Sequence, residues 1–95
     1  MKYGYVYILY SYRNGTLYIG VTSDLIKRIY EHKNKITDGF TKKYNVSQLI
    51  YYETHESIIA AIKREKILKR LGRKEKIALI ERENRTWRDL YADLM

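Results

Sequence analysis

Apolar residues crowd the first fifth of the chain and then thin into helical spacings. Residues 3–10 (YGYVYILY) are aromatic or aliphatic apart from one glycine and carry no charge, the pattern of a strand buried on much of both faces. Residues 17–21 (LYIGV) repeat it, and Arg13-Asn14-Gly15-Thr16 between them contains the Asn-Gly pair that favours a tight antiparallel hairpin. Gly20 inside the second run predicts a bulge or a close backbone approach. The period then changes. A helix is expected from about Ser23-Asp24 to Asn34, with Thr22 or Ser23 as its cap and Leu25, Ile26 and Ile29 as its buried stripe.

Residues 35–45 read as a loop and residues 46–53 (VSQLIYYE) as a third strand. A helix is expected from about 56 to 71, capped near Thr54 and stopped by Gly72 at the position after its end, followed by another over 73–83. Thr86-Trp87-Arg88-Asp89 has the spacing of a capping box and would open a short last helix with Trp87, Leu90 and Leu94 inward. The order β-β-α-β-α-α-α describes an α+β domain, a small sheet that is at least partly antiparallel with helices packed on it. A chain of 95 residues without a linker, repeat or low-complexity tract makes residues 1–95 a single domain.

Composition narrows the chemistry. Cysteine is absent, which excludes disulfides, thiolate zinc sites and a cysteine nucleophile. No apolar run approaches the roughly 20 residues of a spanning helix and no signal-peptide pattern opens the chain, so a soluble cytoplasmic protein is expected. The net charge is +8, which favours a polyanionic partner, nucleic acid before membrane surface. The charge is uneven: residues 63–76 hold eight basic and two acidic side chains, and so most of the excess. A solvated helix face is the plain alternative for such a run.

Two groupings stand out. Arg28 and His32, four apart on the first helix, share the flank of its apolar stripe. They suit a phosphate contact, or else a surface arginine beside Glu31 and a histidine at the core edge. Glu65 lies on the side of its helix that carries Ile58, Ala61, Ile62 and Leu68, where a carboxylate needs a cation, a metal or a proton. Lys69 at i+4 is the simpler partner on spacing, and a hard divalent cation is the other. His55, near a helix start, reads as a surface residue.

Taken in order, Tyr5-Val6-Tyr7, then Tyr18-Ile19-Gly20 with Arg28 and His32 in the spacing YIG-x7-R-x3-H, then Glu65 within a basic helix, resemble the GIY-YIG nuclease superfamily. The resemblance extends to Lys63-Arg64-Glu65-Lys66 and to Trp87-Arg88-Asp89-Leu90-Tyr91, covers essentially the whole chain, and is strongest to the bacterial group of single-domain members. It implies a three-stranded antiparallel sheet flanked by helices and Mg²⁺- or Mn²⁺-dependent hydrolysis of DNA phosphodiester bonds, as an endonuclease or nickase in DNA repair or processing. Tyr7 and Tyr18 would face the scissile phosphate, one of them orienting or activating water. Arg28 would hold the phosphate, Glu65 would bind the metal, and His32 would relay a proton or add a phosphate contact. Lys63, Arg64, Lys66, Lys69, Arg70, Arg73 and Lys74 would bind the nucleic acid, and a partner protein or a homodimer would supply specificity to so small a domain.

The chain departs from the family pattern in having Tyr5 at the place of the name-giving Gly, and Val21-Thr22 after Gly20 where some branches carry a lysine. Asn84 lies beyond the Glu65 helix. A tyrosine base, with an ordinary pKa near 10, would need a nearby cation to favour its phenolate. The competing expectations are a nucleic-acid-binding module of the same fold without catalysis, using the basic segment on phosphates and tyrosines on unstacked bases, and a protein adaptor.

Overall fold

Three strands account for the middle of the molecule: β1 (Gly4–Tyr10), β2 (Leu17–Thr22) and β3 (Gln48–His55), all antiparallel, in the order β2-β1-β3. A computed structural model describes residues 2–12, 15–35 and 46–95. The described residues also form helices α1 (Leu25–Lys33), α2 (Ile58–Arg70) and α3 (Arg73–Glu83) and a terminal 3₁₀ helix (Leu90–Leu94). The α+β class and the three-stranded antiparallel sheet are as the sequence predicts.

β1 is central, so both its faces are covered. Val6 and Ile8 join Ile19, Ile50, Tyr51, Ala61, Leu68, Leu79 and Ile80 in a core beneath α2 and α3. Tyr7 and Leu9 point the other way, into a second core with Leu25, Ile29, Val46 and Leu49 against α1 and the terminal helix. The chain thus builds helix–sheet–helix layers from a strand with alternating but uniformly apolar faces. Ile8 pairs with Tyr51 and Leu9 with Leu49, so Ile50 is an extra residue in β3. That bulge lets Ile50 and Tyr51 enter the same core although they are adjacent.

Several boundaries differ from the sequence expectation, each for a local reason. The hairpin is not among them: the last β1–β2 pair is Tyr10 with Leu17, the ends that the two apolar runs of the sequence give it. Within it the Gly15 N–H donates to the Ser11 carbonyl (2.8 Å), and Gly15 has φ +73°. Arg13 and Asn14, and the expected loop from residue 36 to 45, lie outside the described residues. α1 is capped by Asp24, whose carboxylate accepts from the Lys27 N–H (3.2 Å), while Thr22 Oγ1 accepts from the Asp24 N–H. Ile26 is exposed and the inward stripe is Leu25, Ile29 and His32, because only the i, i+4, i+7 set shares one face.

β3 runs on through Thr54 and His55, so Ser57 caps α2 and Thr54 does not. Gly72 has φ −70° and is no left-handed stop. It is the N-terminal cap of α3, its N–H held by the Glu75 carboxylate (3.0 Å). Thr86 caps nothing: the last element is a 3₁₀ helix capped by Asp89, which also accepts from the Leu49 N–H. Asn84 is buried, and its side chain ties the Ile50 carbonyl and both backbone groups of Arg88 together.

One polar cluster fixes α2 to the sheet. Glu53 receives two parallel bonds from Arg64 (Nε to Oε1 3.0 Å, Nη2 to Oε2 3.1 Å), a bond from the Tyr51 hydroxyl, and contact with His55 Nε2 (2.9 Å). Burial alone would raise the Glu53 carboxyl; the hydrogen bonds from Arg64, Tyr51 and His55 outweigh it and hold it below its usual range. Arg64 is therefore held by Glu53 with its side chain about one-third exposed, and His55 is half-buried in this cluster, not a plain surface residue. Glu53→Ala strands a forked guanidinium that is about one-third exposed, and should cost about 2 kcal/mol in urea unfolding, less than for a fully buried pair.

Candidate active site

Tyr7 occupies the central strand directly opposite Gly20 of β2. The absence of a side chain at residue 20 is a steric need: a Cβ there would fall 2.4 Å from both Cζ and the hydroxyl oxygen of Tyr7. The expectation for Gly20 resolves as close approach, and the bulge lies in β3. The ring of Tyr7 crosses over β2 and meets two others, Tyr18 at 6.4 Å and His32 at 5.7 Å between centroids, while Tyr18 and His32 are 5.8 Å apart. Three motif positions from three elements thus form one aromatic triangle.

The Tyr7 hydroxyl lies 3.0 Å from His32 Nε2, and both residues are almost wholly buried. Burial pushes the Tyr7 phenol up to about 12, against the pull of a hydrogen bond from Arg28. The cation that the phenolate would need is present, but desolvation wins. Burial, reinforced by the Arg28 charge, lowers His32 to about 4. At neutral pH the pair is therefore a neutral phenol beside a neutral imidazole. Arg28 sits one turn before His32 and is anchored by Glu31 (Nη1 to Oε1, 3.3 Å), the surface partner expected for it, while it also hydrogen-bonds Tyr7.

The His32 shift makes a pH prediction. The unfolded imidazole takes its proton near pH 6.5 and the folded one only near pH 4. The folded chain binds fewer protons in between, so stability is full above pH 6.5 and falls as pH drops towards 4, by about 1.4 kcal/mol per unit and about 3 kcal/mol in total. Denaturant melts across this range should show the slope in the native chain and a flatter one in His32→Gln.

Glu65 stands on α2 with its side chain 15% exposed. Both sequence-level partners are in view: Lys69 Nζ is 3.5 Å away but more than half exposed, and the Glu65 charge acts on the Tyr7 phenol. Arg64 and Glu65 are consecutive, so the helix turns one to Glu53 and the other away from it, within electrostatic range of Tyr7. Lys63, Lys66, Lys69, Arg70, Arg73 and Lys74 are all exposed, with Arg73 bound to the Gly15 carbonyl (2.7 Å). The sequence reading missed Glu53 and Lys76, the latter half-buried on α3 beside β2.

With this geometry in place, comparison with known proteins is decisive. Residues 3–78 match the family described as the GIY-YIG catalytic domain. The chain belongs to the GIY-YIG family. Members of this family are nuclease domains that act on DNA, generally endonucleases. The chain is 37% identical over 76 residues to a UPF0213 protein of Staphylococcus saprophyticus, covering 80% of this chain and 92% of that one. It is also 37% identical over 82 residues to a UPF0213 protein of Syntrophus aciditrophicus, covering 85% and 93%. The solution NMR structure of a UPF0213 protein from Bacillus halodurans superposes with a TM-score of 0.59 at 26% identity, over 92% of each chain. These relatives are the single-domain GIY-YIG group that the motifs indicate.

GIY-YIG nucleases typically use divalent metals. Among the described residues no three His, Cys, Asp or Glu side chains gather as a metal cage. The donor chemistry still fits a hard cation: one largely buried carboxylate, its lysine partner facing solvent, matches Mg²⁺ or Mn²⁺, which keep several waters and need only one or two carboxylates. Among the described residues no helix is long and apolar enough to cross a membrane.

Proposed function

We propose that this chain is a metal-dependent DNA endonuclease or nickase of the cytoplasm, serving DNA repair or processing, with residues 1–95 acting as one domain. The observation that carries the reading is the convergence of Tyr7, Tyr18, His32 and Arg28 on one hydrogen-bonded cluster, with the buried Glu65 within electrostatic range of it. A module that only bound nucleic acid would have no need of a carboxylate facing that cluster.

The roles follow from charge state. Arg28 is a fixed cation at the phenol and stabilises negative charge on the non-bridging phosphate oxygens as the fifth bond to phosphorus forms. Tyr7, a phenol at neutral pH, accepts a hydrogen bond from the attacking water and donates its own proton towards His32 Nε2. As the water oxygen bonds to phosphorus, its proton leaves to solvent while Tyr7 and the neutral His32 hold the water in line, so neither a free phenolate nor a buried imidazolium is required. Tyr18 closes the triangle and holds the water and the phosphate against it. Glu65 would hold the divalent ion, which supplies positive charge for the developing phosphorane and the leaving oxygen.

The test is incubation of the purified chain with supercoiled, nicked and branched DNA in Mg²⁺ or Mn²⁺ and in EDTA. Metal-dependent cutting of at least one substrate is expected. Folded protein that binds these DNAs and cuts none would establish the binding module instead.

A further inference from the structure

Two surface grooves meet along β2. One, of about 400 Å³, runs from the hairpin loop (Gly15, Thr16, Leu17) to Arg73 and Lys76. The other, of about 300 Å³, lies over Leu17, Tyr18 and Ile19 beneath Lys69 and Lys76. They share Leu17 and Lys76, so they are two stretches of one channel. β2 is an outer strand that pairs only with β1, and it forms the floor. The walls come from the end of α2 and the start of α3.

Three features give the channel a direction and a chemistry. Its lining includes three cations, Arg73, Lys76 and Lys69, and no carboxylate. It opens at the hairpin loop and ends at Tyr18, one corner of the aromatic triangle. Lys69 stands where it ends and is also the ion-pair partner of Glu65, so the channel runs into the site. Arg73 is braced by the Gly15 carbonyl through one of its five N–H donors, which steadies the guanidinium at the far end. Lys76, in the middle, is half-buried, and among the described residues its amine makes no ion pair or hydrogen bond.

We propose that this channel binds the phosphate backbone of the nucleic-acid strand flanking the scissile phosphate, with Lys76 as its central contact and Arg73 and Lys69 at its two ends. The proposal rests on the nuclease reading of the site and adds to it the path of the substrate. It also divides the basic segment: Arg73, Lys76 and Lys69 follow the strand, while Arg64 serves the fold. A row of point charges beside an edge strand suits a repeating anion, and it reads backbone, not sequence.

Binding is measured in EDTA, so that no cutting is needed, with a short fluorescent DNA duplex over a range of KCl concentrations. Each of Lys76→Gln and Arg73→Gln should lower the slope of log affinity against log salt by about 1. Lys27→Gln, which removes an exposed charge on α1 away from the channel, should change it far less. In duplexes carrying one uncharged methylphosphonate, the affinity lost at the flanking position in the native chain should vanish in Lys76→Gln. Equal slopes for Lys76→Gln and Lys27→Gln overturn the proposal, as does displacement of the DNA by poly-glutamate as readily as by unlabelled duplex. Among the described residues Lys76 has no hydrogen-bond or ion-pair partner to lose, and circular dichroism controls for folding in both variants. A chain that cuts DNA with these slopes unaltered keeps the nuclease reading and loses the channel; one that shows the slopes but never cuts does the reverse.

Discussion

Glu65→Gln should leave the fold intact and reduce metal-dependent cleavage roughly 10³-fold. The stability half of this expectation rests on exposure. The one ion pair that Glu65 makes among the described residues is with Lys69, a side chain more than half in solvent, and such a pair is worth about 1 kcal/mol or less. Gln keeps the volume and a hydrogen-bonding oxygen, so thermal melting should move by only a few degrees. The activity half rests on charge. A ligand carboxylate that positions a metal ion against a developing phosphorane supports about 4 kcal/mol of transition-state stabilisation, which is roughly three orders of magnitude in rate. Cleavage time courses and melting curves on the same preparation check both halves. Cutting that survived undiminished would mean that Glu65 is not the metal ligand.

Gly20→Ala should be nearly as damaging, by a different route. The added carbon lands 2.4 Å from Tyr7 Cζ and from its hydroxyl, and 2.9 Å from Cε2. The ring has nowhere to retreat, because it is fully buried on the central strand and packed against His32 and Tyr18. Either β2 moves away from β1 or the ring leaves its place, at a cost of about 1–3 kcal/mol. Both outcomes lengthen the 3.0 Å contact between Tyr7 and His32, and a displacement of that size costs about 10² in rate. A second substitution separates the two effects. Tyr7→Leu combined with Gly20→Ala removes the clashing atoms, so the pair should be more stable than the sum of the single changes implies, with activity still absent. Denaturation midpoints of the four proteins measure that coupling.

These two positions show what the sequence carries and what it withholds. The strands were legible because β1 is apolar on both sides and a central strand needs exactly that burial on both faces; β2 and β3 share its residue types. The ends of elements were less legible. Thr54 and Ser57 are both good caps, and only the continued pairing of β3 through His55 chooses between them. Thr86 has the spacing of a cap, yet Asp89 takes the role because it can also reach the Leu49 N–H across the molecule. The site was legible as an ordered motif, which predicts that Tyr7, Tyr18, Arg28, His32 and Glu65 belong together. The protonation of Tyr7 was not, since it depends on how far burial outweighs Arg28. Counting charges placed Arg64 among the nucleic-acid contacts. Its pairing with Glu53, eleven residues earlier and on another element, exists only once α2 lies on the sheet. Lys76 escaped notice for the same reason: its value comes from facing β2.

Trp87, the only tryptophan, meets the Tyr10 ring at a tilt of 59° with 4.8 Å between centroids, and its carbonyl accepts from the Tyr12 hydroxyl (2.6 Å). It therefore sits at the seam between the end of the first strand and the segment before the last helix, contacts that span some three-quarters of the chain. The molecule carries its own fluorophore at the point where its two ends are joined. Excited selectively, that indole reports the meeting of residues 75 positions apart in the chain, from a place outside the triangle of Tyr7, Tyr18 and His32.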